Sequence, residues 1–166
     1  MGGHDEEFAT FAHEALPRLL RTAYYVSGNA TDAQDLVQGA LVKTYLKWRR
    51  VRLDNPAAYA RRCVINLHID TWRSRRHETV SDPAIEAANL SVEDREPEDT
   101  SDLVALLRIL PQRERQAVVL RHYVGLSEAE TAESLGCSVG TVKSSTSRGL
   151  ARLREHLSHS EETSHA

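Results

Sequence analysis

Residues 125–157 read GLSEAETAESLGCSVGTVKSSTSRGLARLREHL. Ser127 followed by Glu130 forms a capping box, in which each side chain satisfies an orphan amide at a helix start. Ala129, Ala132 and Leu135 make a small-residue stripe on one short helix. Gly136 suits the left-handed position that stops it. Ser138 then caps a second helix, with a buried stripe of Val139, Val142, Thr146, Gly149, Leu153 and Leu157. Two helices joined by a short glycine turn make a helix-turn-helix. The second helix keeps a free face of Gly140, Thr141, Lys143, Ser144, Ser147 and Arg148. Residues 139–154 carry four bases and no acid. Short polar side chains near its N-terminus allow close approach to a major groove. A plain helical hairpin with a solvated basic face fits the same pattern.

Outward from this segment, the chain reads helical throughout. No alternating strand pattern and no Asn-Gly hairpin signal occurs. Leu103, Leu106, Leu107 and Leu110 step at helical spacing up to Pro111, and a helix from Gln112 to Val124 follows. Nearer the N-terminus, Phe8, Ala12, Ala15, Leu19, Ala23 and Val26 make a first stripe that Pro17 interrupts. Gly28-Asn29 ends it. Thr31 or Asp32 is expected to cap the next helix, with Ala33, Leu36, Val37, Ala40, Leu41, Thr44 and Trp48 inward. Asn55-Pro56 opens a third helix, whose expected core stripe is Ala57, Ala60, Val64, Leu67 and Thr71.

The formal charge of the 166 residues is -3, which taken whole argues against a nucleic-acid binder. Segment by segment it separates. Residues 1–76 carry +4, 77–102 carry -8, 103–157 carry +3 and 158–166 carry -2. The acidic stretch has two prolines and no apolar period, so it reads as a flexible linker. The expected organisation is therefore a helical domain over 1–76, an acidic linker over 77–102, a helix-turn-helix domain over 103–157 and a disordered tail over 158–166.

Residues 47–76 hold nine bases against two acids, interleaved with Trp48, Tyr59 and Trp72. Cations that track phosphates and rings that stack on bases suit a single or melted strand. Arg62, Asn66, Asp70 and Arg73 line the third helix away from its apolar stripe. Arginine and asparagine are side chains that read base edges. Two blander possibilities stand beside this. Trp48 and Trp72 can cap a small core, and Arg49, Arg50 and Arg52 can form a solvated loop. On the second helix, Asp32, Asp35 and Gln38 form either a solvated face or a dock for a basic partner.

The acidic N-terminus lacks a secretory start, and no apolar run is long enough for a membrane span. Cys63 and Cys137 make neither a disulfide framework nor a ligand pair, so a reducing cytoplasm is expected. His156 and His159 sit in the tail beside acids, and His68 and His122 stand alone. No metal site, phosphate-cradling glycine loop or nucleophile–base pair is expected. The chain therefore reads as a non-enzyme without cofactors.

The ordered set resembles an extracytoplasmic-function sigma factor of the sigma-70 family. DAQDLVQGALVKTY (32–45) is similar to the family's polymerase-binding helix. NPAAYARRCVINLHIDTWRSRR (55–76) is similar to the segment that opens and reads the minus-ten element. Residues 110–157 resemble the domain that reads the minus-thirty-five element. The Arg-rich, Lys-poor composition looks actinobacterial, and Ser145 stands where many relatives carry arginine.

The resemblance implies an all-α fold, a region 2 bundle and a region 4 helix-turn-helix. It places Asp32, Asp35, Leu36 and Gln38 on the clamp helices of core RNA polymerase, with the flap as a second contact. It gives Arg49, Arg50, Arg52 and Asn55 to a flipped minus-ten base, and Arg62, Asn66 and Arg73 to the duplex edge. Thr141, Lys143, Ser144, Ser147 and Arg148 would read the minus-thirty-five element. It implies transcription initiation under stress or envelope-signal control, with an anti-sigma partner. A stand-alone helix-turn-helix regulator that binds duplex DNA without polymerase is the alternative.

Overall fold

The computed structural model describes residues 2–78 and 101–165, and the described residues are helical with short connections. They form two compact units. Most of the acidic stretch expected as a linker lies outside the described residues. At its two ends the helices reach Glu78 and begin again at Ser101, slightly inside the expected limits.

The first unit contains α1 (Gly3–Ser27), α2 (Ala30–Leu46), the single turn α3 (Trp48–Val51) and α4 (Pro56–Glu78). Gly28 ends α1 at φ 68, and its N–H donates to the Tyr24 carbonyl at 2.7 Å. An L side chain would be strained there, and glycine is not. The cap of α2 is Asn29, not Thr31 or Asp32: its Oδ1 accepts from the Asp32 N–H at 3.0 Å. Asn55 caps α4 as expected, accepting from the Ala58 N–H at 3.1 Å.

Pro17 does not divide α1. The helix runs through it because both flanks are anchored. Phe8 and Phe11 pack on Trp48 on one side, and Leu19, Ala23 and Val26 enter the core on the other. That packing offsets the lost helical hydrogen bond.

Helices α1, α2 and α4 pack on one another. Ala23, Ala33, Ala40 and Ala60 have no exposed surface, so the helices approach closely around Val26, Val37 and Val64. The buried face of α4 is broader than one stripe. Ala60, Cys63, Val64, Ile65, His68 and Ile69 are buried, while Ala57 and Thr71 are exposed and Leu67 is half-buried. Two neighbouring helices cover α4, so its inward face spans more than the width expected for one.

The second unit contains α5 (Ser101–Arg108), α6 (Gln112–Val118), α7 (Glu128–Leu135) and α8 (Val139–Ser164). The helix expected over 112–124 changes character. From Val119 to Val124 it widens into a π-helical turn, which Gly125 ends at φ 84. The run from Ala117 to Leu120 is buried at every position. Such a run fits a segment packed on several sides, which periodicity alone does not reveal. The capping box is present: Glu130 N–H donates to Ser127 Oγ at 3.1 Å, and Ser127 N–H donates to Glu130 Oε2 at 2.7 Å. Ser138 caps α8 by accepting from the Thr141 N–H at 3.1 Å.

Helix α8 continues to Ser164, past residue 157, where the second domain was expected to end. All residues from 154 to 165 are exposed. The extension is held by its own backbone: adding one residue to an existing helix adds one bond for one residue fixed.

Gly149 sets the approach of α6 and α8. A Cβ there would lie 2.8 Å from Val118 Cγ2 and 3.5 Å from the Glu114 carbonyl oxygen. Overpacking costs ~1–3 kcal/mol, against a helix-propensity gain of ~1 kcal/mol. Gly149→Ala should therefore lower the stability of this unit by up to ~2 kcal/mol. Adding Val118→Ala, which removes the clashing methyl, should make Gly149→Ala better tolerated than in the parent. Chemical unfolding of the four-member cycle checks this, and additive losses would show that the clash is not the cause.

The capping box also has a pH signature. Hydrogen bonds from Ser127 hold the Glu130 carboxyl below its ordinary value. A depressed folded-state value stabilises the fold above the ordinary carboxylate range, and that contribution is lost as pH falls through the folded value. Ser127→Ala should cost ~1 kcal/mol near neutrality. The gap between wild type and Glu130→Ala should close on acidification, as followed by thermal unfolding across pH. A gap that widens instead would contradict the sign.

Candidate nucleic-acid interface

In the second unit the N-terminal half of α8 presents the expected face. Lys143, Ser144, Ser147 and Arg148 are exposed, and Thr141 is half-buried with its hydroxyl 2.9 Å from Ser138 Oγ. Ser145 is only 1% exposed and lies with Val142 and Gly149 on the buried side of α8, so it does not belong to this face. Lys143 Nζ lies 3.6 Å from Glu128 Oε2. Glu114 on α6 is buried beneath α8. Its Oε2 lies 2.9 Å from Arg152 Nε and its Oε1 lies 3.8 Å from Arg148 Nε. Sequence reasoning missed Arg152 as a partner, although it follows Arg148 by one helical turn. Nothing in PQRERQ (111–116) signals that its glutamate is buried.

In the first unit, Arg49, Arg50, Asn55, Arg62, Asn66 and Arg73 are exposed. Arg52 is half-buried, its Nη1 within 3.3 Å of Glu7 Oε2. A cleft of about 430 Å³ opens between α3 and the start of α4, lined by Lys47, Arg50, Val51, Asp54, Asn55, Ala58, Tyr59 and Arg62. Three cations stand at its walls, with Asp54, an apolar patch from Val51 and Ala58, and one aromatic ring. Burial, with the hydrogen-bonded Cys63 thiol, pushes the Tyr59 phenol up, so the ring is neutral at ordinary pH. Burial likewise raises the Cys63 thiol.

Of the three interleaved rings, Tyr59 alone lines this cleft. Trp48 is 5% exposed and stands edge-on to Phe8 at 5.2 Å between ring centres, with Phe11 at 5.1 Å. It belongs to the core. Trp72 is half-buried.

The acidic face of α2 is also divided. Asp35 and Gln38 are exposed. Asp32 is held by Arg75 of α4 through two contacts, at 3.1 and 3.3 Å. Leu36 is 7% exposed and lies in the core with Ala33, Val37 and Ala40, so it is not on that face. Along the exposed side, Asp35 and Gln38 are continued by Val42 and Leu46, the latter 73% exposed. Helical spacing from Gln38 could have revealed this apolar continuation. Among the described residues, no helix is long and apolar enough to cross a membrane.

Comparison with known proteins agrees with both units. Residues 11–78 match the family model for Sigma-70 region 2, and residues 101–153 match that for Sigma-70, region 4. The chain is 40% identical over 152 residues to the RNA polymerase sigma-E factor of Streptomyces avermitilis, covering 91% of this chain and 85% of that protein. It is 34% identical over 154 residues to the ECF RNA polymerase sigma factor SigE of Mycolicibacterium smegmatis, covering 88% and 60%. Among solved structures it is similar to the sigma factor RpoE of Bartonella quintana, crystallised with the anti-sigma factor NepR. That match has a TM-score of 0.63 at 27% identity and covers 92% of this chain and 98% of that one. The chain belongs to the sigma-70 family of RNA polymerase sigma factors, in its extracytoplasmic-function branch.

Proposed function

We propose that this chain joins core RNA polymerase in the cytoplasm and directs it to promoters with separate minus-ten and minus-thirty-five elements. The observation that carries the reading is the cleft beside Tyr59, with Lys47, Arg50 and Arg62 at its walls. Flipping a base out of a duplex costs a few kcal/mol of stacking. A ring and cations at the destination return about 1–3 kcal/mol per stacked base and hold the strand. Asn55 lines this site too, Arg49 and Arg52 hold the strand from the same loop, and Arg62, Asn66 and Arg73 hold the duplex edge along α4. Thr141, Lys143, Ser144, Ser147 and Arg148 read the upstream element in the major groove.

Asp32, Asp35 and Gln38 dock on the polymerase clamp helices, with Leu36 supporting them from beneath. The flap meets the second unit. Residues 1–76 then serve polymerase binding and melting, 77–102 link, and 103–157 read the upstream element. The polymerase makes the phosphodiester bond, and this chain supplies no catalytic group. An anti-sigma factor withholds the chain until a stress or envelope signal releases it, a reading supported by the partner in the Bartonella structure.

The test is reconstitution. Mixed with core polymerase, the chain should co-elute as a holoenzyme and give run-off transcripts from genomic fragments that the holoenzyme protects. A chain that stays apart from core, yet binds duplex DNA tightly alone, would be a stand-alone regulator.

A further inference from the structure

Glu114 is a carboxylate at 7% exposure, and two guanidinium groups one turn apart on α8 share it. Burying a carboxylate requires a standing counter-charge. Arg152, at 2.9 Å, supplies it. Arg148 lies at 3.8 Å, beyond hydrogen-bonding distance, and faces Glu114 through Nε. Gly149 lets α8 approach the stem of Glu114 closely: a Cβ at 149 would sit 3.5 Å from the Glu114 Cβ and carbonyl oxygen. So an exposed arginine on the groove face has its inner nitrogen steered by a fixed charge. A bidentate contact to the O6 and N7 of guanine uses the planar fork of an arginine in one orientation. A side chain already steered loses less freedom on making that contact.

We propose that Glu114 is a positioning residue for base recognition. It aims the Arg148 fork at a guanine edge in the upstream element, while Arg152 keeps the buried charge neutralised when Arg148 turns to DNA. The inference rests on the proposed role of Arg148 in the groove. It adds a specificity determinant on a helix that does not itself enter the groove.

The test uses the holoenzyme and a duplex pool randomised across the upstream element, with the retained fragments sequenced. Wild type should prefer guanine at the position that Arg148→Ala flattens. Glu114→Gln should flatten the same position by about 10-fold, leave the other positions unchanged, and add nothing further in an Arg148→Ala background. If Glu114→Gln does not fold, Glu114→Asp carries the same expectation, because it keeps the charge but draws it one methylene back.

A wild-type profile in the Glu114 variant would overturn the proposal. So would equal weakening at every position, the mark of a merely loosened unit. Wild-type holoenzyme that forms but shows no upstream preference would overturn the groove role of Arg148 and this inference with it. Failure to form any holoenzyme would strike the proposed function first, a different and separately visible result.

Discussion

Trp48→Ala should unfold the first unit at much lower denaturant, at a cost of ~3–5 kcal/mol. The loss is large because three things go together. A nearly buried indole leaves a cavity beside Phe8 and Phe11. An edge-on contact such as that with Phe8 contributes ~0.5–1.5 kcal/mol beyond burial. The anchor that lets α1 run through Pro17 is removed as well. Since a domain is stable by only ~5–15 kcal/mol, much of the margin disappears. Trp48→Phe should recover part of it.

The measurement is selective, because the chain has two tryptophans, Trp48 and Trp72, both in the first unit. Trp72 fluorescence then follows this unit alone, while the helical signal of the second unit should persist. Unchanged stability combined with weaker DNA binding would instead mark Trp48 as a base-stacking ring.

Tyr59→Ala should impair promoter opening by the holoenzyme without comparable loss of folding. Removing one stacking platform costs ~1–3 kcal/mol, which is about 5- to 150-fold in the population of the opened state. Tyr59→Phe keeps the ring and loses only the hydroxyl that meets Cys63, so it should stay within about 2-fold of wild type. Arg50→Ala and Arg62→Ala should each reduce the salt slope of strand binding by ~0.7, because each removes one phosphate contact. Permanganate reactivity of thymines in the opened segment reads the first effect, and salt titration with a single-stranded oligonucleotide reads the second. Equal damage from Phe and Ala at Tyr59 would point to the hydroxyl, not to stacking.

These two residues show where sequence reading stops. Trp48, Tyr59 and Trp72 alternate with bases in one cationic segment, and by pattern each could have stacked on DNA. The structure separates them, since Phe8 and Phe11 arrive from α1, some forty residues earlier in the chain, and cover Trp48. Tyr59 lies at the start of α4, just after the exposed Asp54 and Asn55, and lines the cleft with them. Leu36 was read both as core and as docking surface, and burial assigns it to the core. Glu114 carried no signal at all, because a glutamate among arginines reads as solvated surface until another helix is laid over it.

The sequence by itself determined what depends on neighbours within four or five residues. The capping box of Ser127 and Glu130, the Ser138 and Asn55 caps, the glycine stops at 28 and 136 and the cationic face of α8 all follow from backbone bonds that close locally. Their order along the chain was enough to indicate the family. The tertiary structure alone decided which side chains are covered: the fate of Trp48, the breadth of the α4 core face, the continuity of α1 at Pro17 and the buried charge of Glu114. Burial is a relation between segments far apart in the chain, and a hydrophobic period shows which side of a helix turns inward without showing what meets it there.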